Sequence, residues 1–384
     1  MSVWPFRPVG EVVEVLEWRT DVLRARAGEQ RFRLRERPRR QWHLKHEFDA
    51  DGQAAARAIM RGASSFHVMD WVRVVYVGAV SAGSSVSLAM ATAGYGLAAG
   101  QSVVLWNDAL NYEVCTIESV APSALVLEFV ATPRAATRIY RVDQAHLAVE
   151  LSISRPAGPT QYAAISFESP AVDIHAATTY AQYRGHDVLP MVPVAGGGLP
   201  ESLNWPIEVF DNGTGLVSTS RGRDLVDDKF MMRWLYREDE DAEIQSLRDW
   251  VASRYGRWLA FWQSSWQSDL VAAADIGSAA TSLRVLSPSG ATSLGRTAFD
   301  LEIVGPSATY LRRVTNASAG PEVNGRPTFD LTIDSALGVA IAAVQFVRIS
   351  YLRCARFDAD RIEFLHVPGA TVSVAVPCIE VPVP

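Results

Sequence analysis

Cysteine is scarce in this sequence. Cys115, Cys354 and Cys378 stand far apart, with no CxxC or other metal-ligand spacing. An odd, sparse set excludes a disulfide framework and fits buried free thiols made in a reducing compartment. Long apolar runs are lacking too: no stretch approaches the length that crosses a bilayer as a helix, so no stable membrane association is expected. The opening residues, "MSVWPFRPVGEVVEVLEW", show no uncleaved signal pattern, because acids interrupt them before any apolar run forms. Synthesis and folding in a cytoplasm follow. A net charge of −6 gives no basic excess of the sort that marks nucleic-acid binding.

The motifs of catalysis are absent as well. There is no phosphate loop, no GxSxG elbow and no HExxH. "AGGGLP" has glycines but no following Lys-Ser/Thr, and reads as a hinge. In "HLKHEF", His43 and His46 fall on opposite faces of a strand, so with Glu47 they do not chelate one ion without a bulge. His67 and Asp70 have no nucleophile beside them in the sequence. Asp227, Asp228, Glu238 and Asp239 give no sign of a pair facing each other across a cleft, as a glycosidase needs, and "REDED" is more simply the start of a helix. No enzyme, cofactor or metal site is expected.

What is present is the composition of a globular protein, 48% hydrophobic and 20% charged over 384 residues. At roughly 100–200 residues per domain, two domains are expected. Strand-like alternation dominates: "QRFRLRER", with Phe32 and Leu34 as the apolar face, then "TSLRVL", "FDLEIV", "FDLTID" and "DRIEFLHV". Helical periodicity is convincing in two places. One predicts a helix over Asp49–Arg61, capped by Asp49 or Asp51 and stopped at Gly62. The other predicts one over Asp239–Tyr255, with acids in its first turns and Gly256 as its end.

Aligned on those glycines, the halves list their elements in one order: strand pair, helix, aromatic strand, compact module of short strands, long strand pair. This predicts an internal duplication of about 185 residues per copy, within the usual domain range. The first domain covers residues 1–187, with an inserted β module at about 77–135. The second covers 206–384, with its module at about 273–340. Residues 13–185 and 206–381 should superpose. The Gly/Pro-rich residues 188–205 form the linker.

"YGRWLAFWQSSW" (Tyr255 to Trp266) concentrates the aromatic residues. As a strand it points Trp258, Ala260 and Trp262 one way and Leu259 and Phe261 the other. A strand apolar on both faces is covered on both, so packing accounts for most of the rings. The candidate aromatic core is Trp71, Trp258, Phe261 and Trp262; sugar stacking stays open for Trp266.

"EWRTDVLRARAGEQRFRLRERPRRQWHLKHEF" resembles the opening of tail proteins of long-tailed bacteriophages, in the pattern Thr20, Val22, Gly28, Glu29, Arg31 followed by an Arg-rich strand. "LRDWVASRYGRWLAFWQSSWQSDL" is similar to the other half of that pattern, a helix followed by G-R-x-x-A-F-W. The resemblance covers about half the chain and belongs to minor tail, distal tail and baseplate proteins. It implies a mainly β fold, two tandem tail-tube-like β-sandwich or split-barrel domains, each with one flanking helix. It implies a structural protein of the virion tail tip that joins the tail tube to the host-recognition apparatus and surrounds the DNA channel. The implied partners are copies of the chain, the tail tube protein, the tape-measure protein and hub or fibre proteins, with non-specific proximity to DNA during ejection. A trimer with pseudo-sixfold symmetry is expected; the alternative is a hexamer. Arg31, Arg33, Arg35, Arg39 and Arg40 then form a basic hairpin at a subunit contact or facing the lumen. The alternative function is a carbohydrate-binding or cell-wall-degrading virion protein that uses the Trp-rich segment.

Overall fold

The computed structural model describes residues 2–382 except 26–27, 36, 93–94, 149–151, 155–160, 170–178, 194–200, 203–206, 212, 216, 222–228, 238–239, 289–297 and 369–370. Most of the proposed linker, including Gly196 to Gly198, lies outside the described residues, as do Asp227, Asp228, Glu238 and Asp239. The fold is mainly β, and 23 strands join in one hydrogen-bonded network.

The first half runs β1 (Ser2–Trp4), β2 (Val12–Glu17), β3 (Thr20–Ala25), β4 (Gly28–Arg33), β5 (Arg39–Phe48), α1 (Ala50–Gly62), β6 (Phe66–Val80), β7 (Val86–Ala89), β8 (Ser102–Asp108), β9 (Asn111–Ala121), β10 (Ala124–Leu127), β11 (Arg134–Leu147), β12 (Ser152–Ser154) and β13 (Gln161–Ser169). A short hairpin follows, β14 (Gln182–Tyr183) and β15 (His186–Val188). The second half runs β16 (Glu201–Ser202), β17 (Ile207–Asp211), β18 (Val217–Arg221), β19 (Lys229–Arg237), α2 (Asp241–Arg254), β20 (Phe261–Ser264), β21 (Ser282–Leu286), β22 (Phe299–Val304), β23 (Thr309–Val323), β24 (Arg326–Ile333), β25 (Arg348–Phe357), β26 (Arg361–Val367) and β27 (Thr371–Glu380).

The strand pairings recur from half to half. In the first, the antiparallel order is β12-β13-β5-β2; in the second it is β26-β27-β19-β16. β1 lies parallel to β6 as β15 lies parallel to β20. β6 pairs with β11 as β20 pairs with β25. The modules match as well: β11-β8-β9-β10-β7 against β25-β22-β23-β24-β21. Among the described residues one ladder crosses between the halves, β2 against β26, from Val12↔His366 to Glu17↔Arg361. It turns two four-stranded orders into one continuous antiparallel run.

Local chemistry sets the helix ends. Asp49 is extended and its carboxylate accepts from Gly52 N–H at 2.7 Å, which starts α1. Gly62 does not stop this helix. It is the last helical residue, and the chain leaves through Ala63 in an extended conformation. α2 ends where Tyr255 turns left-handed, at φ 54°, followed by Gly256 at φ 65°. Gly256 is needed for space as well as for φ. A Cβ there would lie 2.4 Å from Asp360 Oδ1 and 3.1 Å from the Trp18 Cβ.

The cores follow the pairings. Trp4, Trp42, Phe66, Trp71 and Phe167 build the first, under α1. Trp234, Phe261 and Phe357 build the second, closed by Trp250 of α2. That second core also takes Leu16 and Trp18, both fully buried, from the first half. Each module holds a core of its own, around Leu105 and Leu125 in one and Leu301 and Leu331 in the other.

Candidate functional site

The densest polar chemistry lies where the halves meet. Glu14 on β2 sits at the crossing ladder, 1% exposed. Its Oε1 accepts from Arg40 Nε on β5 at 2.8 Å. Its Oε2 accepts from Arg248 Nε and Nη2 on α2 at 3.1 and 2.5 Å, and lies 3.3 Å from His366 Nε2 on β26. Arg40 also meets Asp70 at 3.3 Å and Asp143, and lies 4.2 Å over the Trp42 ring. Arg73 on β6 reaches α2, at Asp241 Oδ1 (3.2 Å) and Gln245 Oε1 (2.6 Å). Arg141 pairs with Asp143 at 3.5 Å.

Burial by itself would raise the Glu14 carboxyl. The guanidinium groups of Arg248 and Arg40, with His366, outweigh it and hold Glu14 well below the usual carboxylate range. Burial would likewise lower Arg40, but Glu14, Asp143 and Asp70 raise it. For His366 burial wins and pushes the imidazole down, so near neutral pH the ring is uncharged. Such a cluster can hold two sheets in one register, because no shifted pairing satisfies every charge.

Beside it the β3–β4 hairpin lies against the second half. Asp360 Oδ2 accepts from Thr20 N–H at 2.8 Å, and Arg257 donates to both Asp360 and Thr20 O. Arg356 grips Glu29 through two bonds, at 2.7 and 3.0 Å. Arg31 donates to Trp258 O at 2.7 Å, and Arg33 lies 4.5 Å over the Trp258 ring. Gly256 sits in this contact. Gly256→Ala is expected to loosen the hairpin, since it strains the backbone and displaces the Asp360 carboxylate. Limited proteolysis should then cut within the β3–β4 hairpin several-fold faster than in wild type. Equal cutting rates would mean that the hairpin does not depend on this close approach.

The basic residues read as one hairpin from the sequence have separate surroundings. Arg31 and Arg33 face the second half of the same chain. Arg35 donates to Glu17 O at 3.4 Å, and Arg39 pairs with Glu168 at 3.1 Å while staying largely exposed. Arg40 is a correction: at 2% exposure it belongs to the buried cluster, not to an exposed basic face. Phe32 and Leu34 are a second correction, exposed at 49% and 50% rather than half-buried in a core.

The aromatic segment divides in the same way. Phe261 and Trp262 are fully buried on β20, and Trp262 donates to Tyr183 O at 2.8 Å. Trp71 is buried against Trp106 and Tyr140. Trp258 is corrected: it lies in the turn before β20, not on a strand, and is half-buried under Arg33. Trp266 is half-buried against the second core. A cleft of about 530 Å³ opens at the joint, lined by Val9, Trp71, Tyr140, His366 and Thr371 among others, with no carboxylate in its lining. Trp258, Trp262 and Trp266 line neither this cleft nor the shallower ones beside Tyr180 and Tyr162.

His43 bonds to Ser166 and His46 to Trp4 and Arg7 O, so the two imidazoles serve different contacts. Among the described residues no three His, Cys, Asp or Glu side chains gather as metal ligands. The three cysteines are free and buried, and burial pushes the Cys115 and Cys354 thiols up to about 12. Glu14, Arg248 and His366 escaped the sequence reading. Their partners lie more than 230 residues apart in the chain, and the one signal was the acid inside the otherwise apolar "VVEVL". Compared with protein-family models and with curated proteins, the chain matches none.

Proposed function

We propose that the protein is a structural ring component of the tail tip of a long-tailed bacteriophage, of the distal-tail or minor tail kind. It joins the tail tube to the host-recognition apparatus and surrounds the DNA channel. The observation that carries this is the repeated pairing order with its single crossing ladder. Two alike units, joined edge to edge by a sheet, are what a ring of alike units is made of.

In this reading the halves are duplicated tail-tube-like units, each a sandwich or split barrel with α1 or α2 at its flank. Three chains supply six units and match a sixfold tube to threefold fibres; a hexamer of chains is the alternative. The tube, tape-measure and hub or fibre proteins are the neighbours, and the virion tail tip is the location. The chain carries out assembly, not catalysis. Arg39, exposed beside Glu168, is the arginine of the basic set best placed to meet a neighbour or the lumen. The carbohydrate-binding alternative loses support from the burial of Trp262 and the dispersal of the other rings.

Native mass measurement with electron microscopy of the purified protein tests this. A ring with a central hole at three times the 42.0 kDa chain mass is expected. Particles without a hole, or single chains within the virion tail, would refute it.

A further inference from the structure

The strands of the crossing ladder have counterparts that each keep one edge unpaired among the described residues. In the continuous run β12-β13-β5-β2-β26-β27-β19-β16, the ends are β12 and β16. β12 holds in the first half the place that β26 holds in the second, and β16 holds the place of β2. Each pairs on one side only among the described residues, β12 with β13 and β16 with β19. An open edge offers backbone donors and acceptors to another strand. These two edges fit each other, because their counterparts already pair within the chain.

The register can be read across the ladders. Leu147, the last residue of β11, lies opposite Phe167, which lies opposite Trp42, which lies opposite Glu14. Phe357, the last residue of β25, lies opposite Cys378, which lies opposite Phe230, which lies opposite Glu201. Glu201 thus holds the register position of Glu14. Glu14 lies opposite Phe364, whose counterpart on β12 by the same rows is Ile153. The helices agree. Arg248 stands eight residues after the α2 N-cap Glu240, and Arg57 eight after the α1 N-cap Asp49. Arg248 is buried on Glu14, whereas Arg57 is exposed and makes no ion pair among the described residues.

We propose that chains join head to tail through these edges, a reading that rests on the ring function above. β16 of one chain pairs antiparallel with β12 of the next, Glu201 opposite Ile153 and Ser202 opposite Ser152. Arg57 of that next chain then takes the Glu201 carboxylate as Arg248 takes Glu14. The contact joins two different surfaces, so it propagates, and it closes into a ring when the rotation from chain to chain completes a turn.

A cysteine pair and a charge swap test it. Opposed residues of an antiparallel pair lie about 4.5–5.5 Å apart at Cα, within disulfide reach. The native thiols are buried and do not compete. The double variant Ser152→Cys, Ser202→Cys is therefore expected to form, on mild oxidation, covalent multimers ending at the trimer, while neither single variant does. Arg57→Glu and Glu201→Arg should each weaken association about tenfold, as for loss of a close charge pair, and the double swap should restore it. Unchanged melting temperatures show that each variant folds. Rings of normal mass without cross-links, and swaps without effect, would overturn this joint and leave the ring function standing. Single chains at every concentration, without cross-links, would overturn both.

Discussion

Glu14→Gln is expected to destabilise the fold by about 3–5 kcal/mol, the usual cost of removing one partner from a buried charge pair. The amide keeps the shape and some hydrogen bonds. It leaves Arg40 and Arg248 without their shared anion, and both are buried, at 2% and 4% exposure. Arg40 keeps Asp70 and Asp143, whereas Arg248 has Glu14 as its one ion-pair partner among the described residues. The double variant Glu14→Gln, Arg248→Gln should therefore cost less than the two single losses together, by about 1–3 kcal/mol of coupling. Denaturant unfolding monitored by tryptophan fluorescence measures it. A single variant within about 0.5 kcal/mol of wild type, the range of a neutral surface change, would mean that water or a shift of the helix replaces the carboxylate.

The same cluster gives a pH dependence whose sign can be worked out. Glu14 is depressed in the fold, so its contribution is present above the ordinary carboxylate value and is lost as pH falls through the folded one. His366 and His46 are also lowered, both chiefly by burial, His46 from 6.5 to about 4. Below pH 6.5 the unfolded chain binds these protons and the folded chain does not, so stability declines toward pH 4. Acid weakening thus begins with the histidines and continues with Glu14. In Glu14→Gln the histidine limb persists and the carboxylate limb is lost.

Much of the element order was legible in the sequence, because its signals are local. Asp49 caps α1, acids begin α2, and the left-handed turn that ends it needs the freedom of Gly256. What failed depended on a break in periodicity. Carried on from "QRFRLRER", the alternation stays in step as far as Trp42 and Leu44, but the ladder stops at Arg33 and resumes at Arg39. Parity changes across that break. On β4 Arg31 and Arg33 turn inward and leave Phe32 and Leu34 exposed, whereas on β5 the positions in step with Phe32 and Leu34, Arg40 and Trp42, are the buried ones. Trp258 failed likewise: Tyr255 and Gly256 both take positive φ, and the chain turns before β20 begins. The joint itself was illegible. β2 pairs with β5 in its own half and with β26 some 350 residues away, and no pattern within one strand names its second neighbour.

Trp262 and Trp258 should therefore part company under substitution. Trp262→Ala is expected to cost about 3–5 kcal/mol, the range for deleting a large core side chain. The ring is fully buried, packs edge-on against Tyr183 at 5.2 Å, and gives its indole N–H to Tyr183 O. Deleting it opens a cavity between β20, β25 and the β14–β15 hairpin. It also leaves that carbonyl without its indole donor. Trp258→Ala removes a half-buried ring whose main partners are the Arg33 guanidinium and the Tyr255 ring. A cation–π contact at such a site contributes about 0.5–1 kcal/mol, so a loss of about 1 kcal/mol is expected. It should fall on the attachment of the β3–β4 hairpin rather than on the core. Calorimetric unfolding of the two variants separates these outcomes. Equal large losses would place Trp258 in the core after all. If Trp262→Ala melted like wild type, the β20 core would not be the structural element that its burial implies.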